Sequence, residues 1–299
     1  MIIRSDWHIH SRNSCDQACM TMADLVSGAA DRGVCDFGIT DHLHTPYNMP
    51  DIVRSRAEYL SIQPSPRFHF GIEVSCVSQW EIDEIASGRY PDPVYGLRSG
   101  GPADGELAIA LTSDDIRAYG IEYVVGGTHW PMYVPMERQA VIRDYHRQNM
   151  FLATHPLVDI VAHPWWWMGH WQAADGQYPA EPWFDDFGAI PRSMHDDFAD
   201  AALASGTKVE INISAILLNA QYPQRFVPQY LEYMAALQSR GVTLSIGSDC
   251  HSAQYHIDFE RVGELLERAG IRDEFWCLEP RADECVVTRC EKGSTKRVV

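Results

Sequence analysis

Short runs of alternating apolar and polar residues punctuate this chain, and longer stretches of helical periodicity lie between them. Ile2 and Ile3 lead into S-D-W-H-I-H-S-R-N-S-C-D over residues 5–16, whose start has strand character. Thr21 to Gly33 sets Met22, Leu25, Val26 and Ala29 at helical spacing, with Thr21 as N-cap and Gly33 as stop. V-C-D-F-G-I-T-D-H follows as a second strand ending at Asp41 and His42. In R-F-H-F-G-I-E-V, residues 67–74, Phe68, Phe70 and Ile72 alternate with His69, Gly71 and Glu73, which predicts a third strand. A short helix is expected over 78–86. From Ser87 to Asp114 the pattern dissolves into Gly, Pro, Asp and Ser, which predicts an insertion or lid.

Order returns at I-E-Y-V-V-G-G-T-H-W, a fourth strand ending at His129, followed by a helix over 136–154. D-I-V-A-H is a fifth, short strand ending at His163. A helix over 196–205 stops at Gly206, and K-V-E-I-N-I-S is the sixth strand. A helix over 228–240 stops at Gly241, and V-T-L-S-I-G-S-D-C-H is the seventh. A last helix covers 259–269. Alternation of strand and helix implies an α/β fold with a mainly parallel sheet. Seven strands with helical crossovers favour a closed (β/α)7 TIM-like barrel over an open sheet. One domain over residues 1–278, interrupted at about 87–114, and a polar tail over 279–299 follow.

In such barrels, reactive residues gather at the C-terminal ends of the strands. Here His8 and His10, His42, Glu73, His129, His163, and Asp249 with His251 all stand at strand ends. His8 and His10 share a face, because residues two apart on a strand point the same way. Imidazole with carboxylate suits zinc, iron or manganese without choosing among them. About nine candidate ligands exceed what one ion takes, so two to three divalent transition-metal ions are expected. His69 lies nearer the start of its strand and is read as structural. His155, His170, His195 and His256 are unassigned. The run Trp165-Trp166-Trp167-Met168-Gly169-His170-Trp171 is either a stacked core plug or the apolar wall of a substrate pocket. The second reading makes Trp165 and Trp166 candidate substrate contacts.

Composition narrows the partners. A net charge of −17 repels nucleic acid and anionic membranes, and points to a small-molecule substrate. No apolar run of membrane-spanning length and no secretory signal is visible. The eight cysteines form no C-x-x-C pair, which argues for a reduced, cytoplasmic protein and against a zinc ribbon. Oligomeric state is not legible.

D-x-H-x-H, G-I-T-D-H, G-x-E, G-x-x-H, A-H-P and G-S-D-x-H occur in that order from Asp6 to about Ser252. This order resembles the polymerase and histidinol phosphatase family, in its histidinol-phosphatase-like branch. The resemblance implies a distorted seven-stranded (β/α) barrel with a trinuclear metal centre at the C-terminal rim. It implies phosphoester hydrolysis by a metal-bridging hydroxide. By the same resemblance, His8, His10, Glu73 and Asp249 hold the first metal. Glu73 bridges to a second, held also by His129 and His163. His42 and His251 hold the third, with Asp16 where the branch often has a histidine, and Cys15 as a possible substitute. Glu73 and Asp249 are thereby the catalytic candidates, and Asp41 either supports a ligand or caps the next turn.

V-E-I-N-I-S resembles the family's E-I-N-T-S, which places Glu210 and Asn212 in the pocket. The branch commonly continues into basic residues that take the substrate phosphate. Here the chain continues as Ala215-Ile216-Leu217-Leu218-Asn219, with Arg225 the nearest candidate to reach back. The expectation is therefore a metal-dependent phosphoesterase that is not an efficient histidinol-phosphate phosphatase. The alternative is an amidohydrolase-like enzyme cleaving a C–N or C–O bond of a carbonyl substrate.

Overall fold

The computed structural model describes residues 1–167, 183 and 186–280. His170, Trp171 and nearly all of the expected tail lie outside the described residues. The first half of the chain forms β1 (Ser5–Asp6), α1 (Met22–Arg32), β2 (Asp36–Ile39), β3 (His42–Leu43), α2 (Met49–Ser61), β4 (Phe68–Ser75), β5 (Val77–Ser78), α3 (Gln79–Ala86) and β6 (Leu107–Ala108). The second half forms α4 (Ser113–Tyr119), β7 (Tyr123–Gly127), α5 (Arg138–Thr154), β8 (Ile160–Ala162), α6 (Arg192–Ser205), β9 (Lys208–Asn212), α7 (Phe226–Ser239), β10 (Leu244–Gly247) and α8 (Phe259–Arg268).

Seven parallel strands run in the order β1-β2-β4-β7-β8-β9-β10, with β3 paired to the end of β4. The ends of this sheet meet just past the strands. Trp7 N donates to Ile246 O at 2.8 Å, and Asp249 N donates to His8 O at 2.7 Å. A bridge also joins Ile9 and Cys250. The result is a nearly closed (β/α)7 barrel, as the strand count predicts. Every rim residue named above stands at the same end of this barrel, just past the C-terminus of its strand or, for Glu73, two residues before it.

The helices cover the barrel with their apolar stripes. In α1 the Thr21 side chain accepts from Asp24 N, the helix stops at left-handed Gly33, and Met22, Leu25 and Ala29 are buried. Trp7, Tyr123, Val125, Ile160 and Ala162 form a separate buried cluster, with Trp276 and Leu278 packed on it. Burial of such side chains contributes roughly 1.5–3 kcal/mol each. No helix among the described residues is long and apolar enough to cross a membrane.

Two elements depart from expectation. Helix α2 was not anticipated, because its buried stripe of Ile52, Ser55 and Tyr59 includes a serine that breaks the apolar period. The stretch over 87–114 is not patternless throughout: β6 pairs antiparallel with β5, and α4 begins at Ser113. Its remainder is tied to the rim. Tyr47 donates to Asp92 Oδ1 at 2.8 Å, and Asn48 Nδ2 donates to Val94 O at 3.1 Å.

Candidate metal centre

Glu73 is fully buried on β4, a strand otherwise made of core residues. Its two oxygens face different imidazoles. Oε2 lies 3.0 Å from His8 Nε2, 3.5 Å from His10 Nε2 and 2.8 Å from His42 Nδ1. Oε1 lies 3.1 Å from both His129 Nε2 and His163 Nε2. His8 and His10 also approach Asp249 Oδ1, at 3.6 and 3.2 Å. Asp16 Oδ2 lies 3.2 Å from His42 Nε2 and bonds His251 Nε2. Four groups of convergent ligand atoms result: His8, His10 and Asp249; Glu73, His129 and His163; His10, Asp16, His42 and His251; and His42, His44 and His129.

Backbone geometry explains this convergence. Asp249 and His163 adopt φ values of 53° and 28°, so the chain turns sharply as it leaves β10 and β8. Gly127, at the end of β7, sits directly beneath the cluster. A Cβ there would fall 2.6 Å from His129 Cε1 and 2.7 Å from Glu73 Oε1, so only glycine leaves room.

A further ring of residues orients the candidate ligands. His8 Nδ1 bonds Glu210 Oε1 at 2.6 Å, which leaves the Nε2 lone pair for the cluster. Glu210 Oε2 accepts from His163 N at 2.7 Å and from Asn212 Nδ2 at 3.0 Å. Asn212 Nδ2 also reaches Asp249 Oδ2 at 3.1 Å. Asp6 Oδ1 accepts from Ser248 N at 2.7 Å, and Asp41 accepts from Ser11 N at 2.6 Å and Ser11 Oγ at 2.7 Å. Asp41 thus secures the turn after His10 rather than touching a histidine ring.

The electrostatics follow from packing charge out of water. Burial, reinforced by His251 and His42, pulls His10 down to about 3. Burial likewise pulls His129 down to about 4, against the pull of Glu73. For His42 burial works the same way, but Glu73 and Asp16 outweigh it and hold the ring up to about 10. His8 is also raised, with Glu210, Glu73 and Asp249 overcoming burial. Burial opposes ionisation of Glu73 and Asp249, yet the neighbouring imidazoles hold both well below the ordinary carboxylate range.

The donor set fits a transition-metal cluster. It is built from imidazole and carboxylate, with the ring nitrogens of His8 and His10 facing each other at 3.0 Å. Glu73 Oε2 and His129 Nε2 are buried without an aligned hydrogen bond among the described residues. Buried polar atoms in that condition are costly unless a cation or proton lies between them.

A cavity of about 650 Å³ opens over the cluster. Asp16, His42, His129, His163, Asp249 and His251 line it, together with Tyr95 and Arg98 from the insertion, Trp130 and Trp166. Some expected substrate contacts take other positions. Trp165 is buried, its carbonyl accepting from Trp183 Nε1 at 2.6 Å, so of that pair Trp166 faces the cavity. The φ of 67° at Trp165 turns its side chain into the core. Glu210 and Asn212 stand behind the ligands, outside the cavity lining, because their strand face points at His8 and Asp249. Arg225 lies exposed just before α7 and is not among the lining residues. His69 bonds Glu122 Oε2 at 2.8 Å and packs on Trp7, apart from the cluster, as its place on the strand implies.

The sequence reading omits His44 and Ser75. His44 is buried at the rim, lines the cavity, and groups with His42 and His129. Ser75 Oγ joins His44 Nδ1 at 2.6 Å to His129 Nδ1 at 2.8 Å. The signal for His44 was present: His42-Leu43-His44 repeats the His-x-His spacing of His8 and His10.

No family model matches the chain, and no curated protein matches it by sequence. Solved structures do. A candidate histidinol phosphatase, hisK, from Listeria monocytogenes superposes with a TM-score of 0.51 at 12% identity, covering 84% of this chain and 96% of that one. That likeness shows the barrel fold alone. Looser superpositions carry no argument: the citrate lyase beta subunit from Mycobacterium tuberculosis gives a TM-score of 0.35 at 11% identity, over 89% of this chain and 96% of that one. A hyperthermophilic endo-beta-1,4-glucanase gives 0.42 at 13%, over 89% and 84%.

Proposed function

We propose that this protein is a metal-dependent hydrolase acting on a small cytoplasmic substrate, with phosphoester hydrolysis as its reaction. The observation that carries this reading is the division of Glu73 between two imidazole sets, Oε2 toward His8 and His10, Oε1 toward His129 and His163. His8, His10, Glu73 and Asp249 would hold one metal, and Glu73, His129 and His163 a second. Asp16, His42 and His251 would hold a third. Bound there, divalent zinc, iron or manganese lowers the pKa of water toward about 7 and polarises a substrate oxygen. The motif order from Asp6 to Ser252, with its resemblance to a phosphatase family, favours a phosphoester.

The chain's own groups add orientation and one placed proton. With His129 Nε2 turned to the cluster, its Nδ1–H donates to Ser75 Oγ, and the Ser75 hydroxyl donates to His44 Nδ1. His44 then carries its proton on Nε2, at the cavity wall, as a donor for a substrate oxygen. Burial and the neighbouring His42 and His129 keep His44 neutral. Asp249, fixed by Asn212 and the imidazoles, stays an acceptor. Trp130 and Trp166 supply an apolar wall that excludes water from a bound substrate.

That wall, with no basic residue among Ser214, Ala215 and Asn219, also favours a second reading. In it, the same site opens a C–N or C–O bond of a carbonyl compound. Metal-loaded protein assayed on an aryl phosphate and on matched lactones and amides separates the two. Phosphate release with inert carbonyl substrates is expected. Hydrolysis of lactone or amide with an inert phosphate overturns the phosphoesterase reading.

A further inference from the structure

Arg98 lines the cavity from the stretch after α3, and it is the sole lysine or arginine among the described lining residues. Its loop is built to hold it there. Glu81, buried on α3, accepts from Leu97 N at 2.9 Å and also bonds the Tyr133 hydroxyl. Gly96 passes so close that a Cβ would fall 1.9 Å from Glu81 Oε1, and its φ of +83° also demands glycine. Arg98 itself adopts a φ of 60°, a conformation that an arginine takes only under constraint. Strain of this kind collects at ligand clamps.

The guanidinium is half committed. Nε donates to Tyr95 O at 2.8 Å, and the group lies 4.0 Å over the Trp130 ring. Among the described residues, no acceptor bonds its two terminal nitrogens. A half-buried arginine with one face on an indole and its outer edge free presents a planar fork to an oxyanion. Trp130 in turn packs on His129 and His44, with ring centroids 5.7 and 5.6 Å away. An indole therefore stands between the guanidinium and the cluster imidazoles.

We propose that Arg98 is a specificity residue for a second anionic group, carried by the substrate at the end remote from the scissile ester. The substrate class is then a phosphoester bearing a distal carboxylate or phosphate, held by Arg98 with its organic body against Trp130 and Trp166. This rests on the reading of the cavity as the hydrolytic site. A net charge of −17 makes a local cation the more necessary for such a ligand.

Calorimetry on the metal-loaded full chain tests the assignment without turnover. The probes are phenylphosphonate, its carboxylate- and phosphonate-bearing counterparts at the para position, and the same pairs on a biphenyl spacer. At least one bifunctional probe should bind the natural protein about 10- to 150-fold tighter than its monofunctional parent, as one charged hydrogen bond implies. Arg98→Gln should erase that difference and leave the parent's affinity unchanged, while Arg98→Lys restores part of it. Comparing the carboxylate and phosphonate arms identifies the distal anion. Equal binding of bifunctional and parent probes, no binding of any bifunctional probe, or an equal loss for both in Arg98→Gln overturns the proposal. If the binding difference holds but no phosphoester is hydrolysed, the phosphoesterase reading fails and the Arg98 assignment stands.

Discussion

Glu73 Oε2 lies 3.0 Å from Nε2 of His8, both side chains closed to solvent, while the other oxygen of that carboxylate faces His129 and His163. One carboxylate thereby faces two sets of imidazoles. Glu73→Gln keeps the shape and removes the charge. It should lower metal content by at least one ion per chain and abolish hydrolysis, while the circular dichroism spectrum stays that of the natural protein. An active, metal-depleted Glu73→Gln enzyme would contradict the account.

Glu210 acts at one remove. Its carboxylate holds His8 Nδ1 at 2.6 Å and the His163 backbone N–H at 2.7 Å. Glu210→Gln should weaken metal affinity about 10- to 100-fold, the usual cost of losing a partner behind a ligand. Competition with a chromophoric chelator measures it. Unchanged affinity would show that His8 needs no such partner.

Metal loading and pH are linked with opposite signs in the two forms. In the metal-free protein His42 is raised from its ordinary 6.5 to about 10. Its charged form therefore stabilises the fold fully below about 6.5, and that contribution is lost as pH rises through about 10. Metal takes the neutral ring, so His8, His42 and His251, all raised, must give up protons on binding. His10 and His129, lowered to about 3 and about 4, are already neutral at pH 7. Calorimetry in buffers of different ionisation heat should show about two to three protons released per chain near neutral pH. Melting temperature should fall with rising alkaline pH without metal, and metal affinity should rise. Release of no protons would contradict the assignment of His8 and His42 as ligands.

Histidinol phosphate should be a poor substrate. Ser214, Ala215 and Asn219 line the cavity where the resembling branch carries basic residues, and Arg225 stands outside it. Steady-state kinetics should give kcat/KM below about 10⁴ M⁻¹s⁻¹. A higher value would mean that another group takes the phosphate.

The strand ends were legible because barrel topology needs only the order of apolar runs and stops. The left-handed stops at Gly33 and Gly206 are where the sequence puts them. Turns past the strands were not legible in detail. Period-two parity ends with the strand, so positive φ at His163, Trp165 and Asp249 re-aims side chains in ways that spacing does not encode. Hence Trp165 enters the core while Trp166 faces the cavity. Arg98 and Tyr95 are not legible as site residues because Gly- and Pro-rich sequence has no periodicity to orient its side chains. Glu210 sits behind the ligands, since strand parity names a face but not the distance to a neighbouring histidine.

The most direct measurement is the metal content of the protein after loading with zinc, iron or manganese and removal of free ion by gel filtration. Two to three ions per chain are expected, lost in parallel when His10, Glu73 or Asp249 is replaced by alanine. Fewer than one ion per chain, with none gained on adding zinc, iron or manganese, would contradict it.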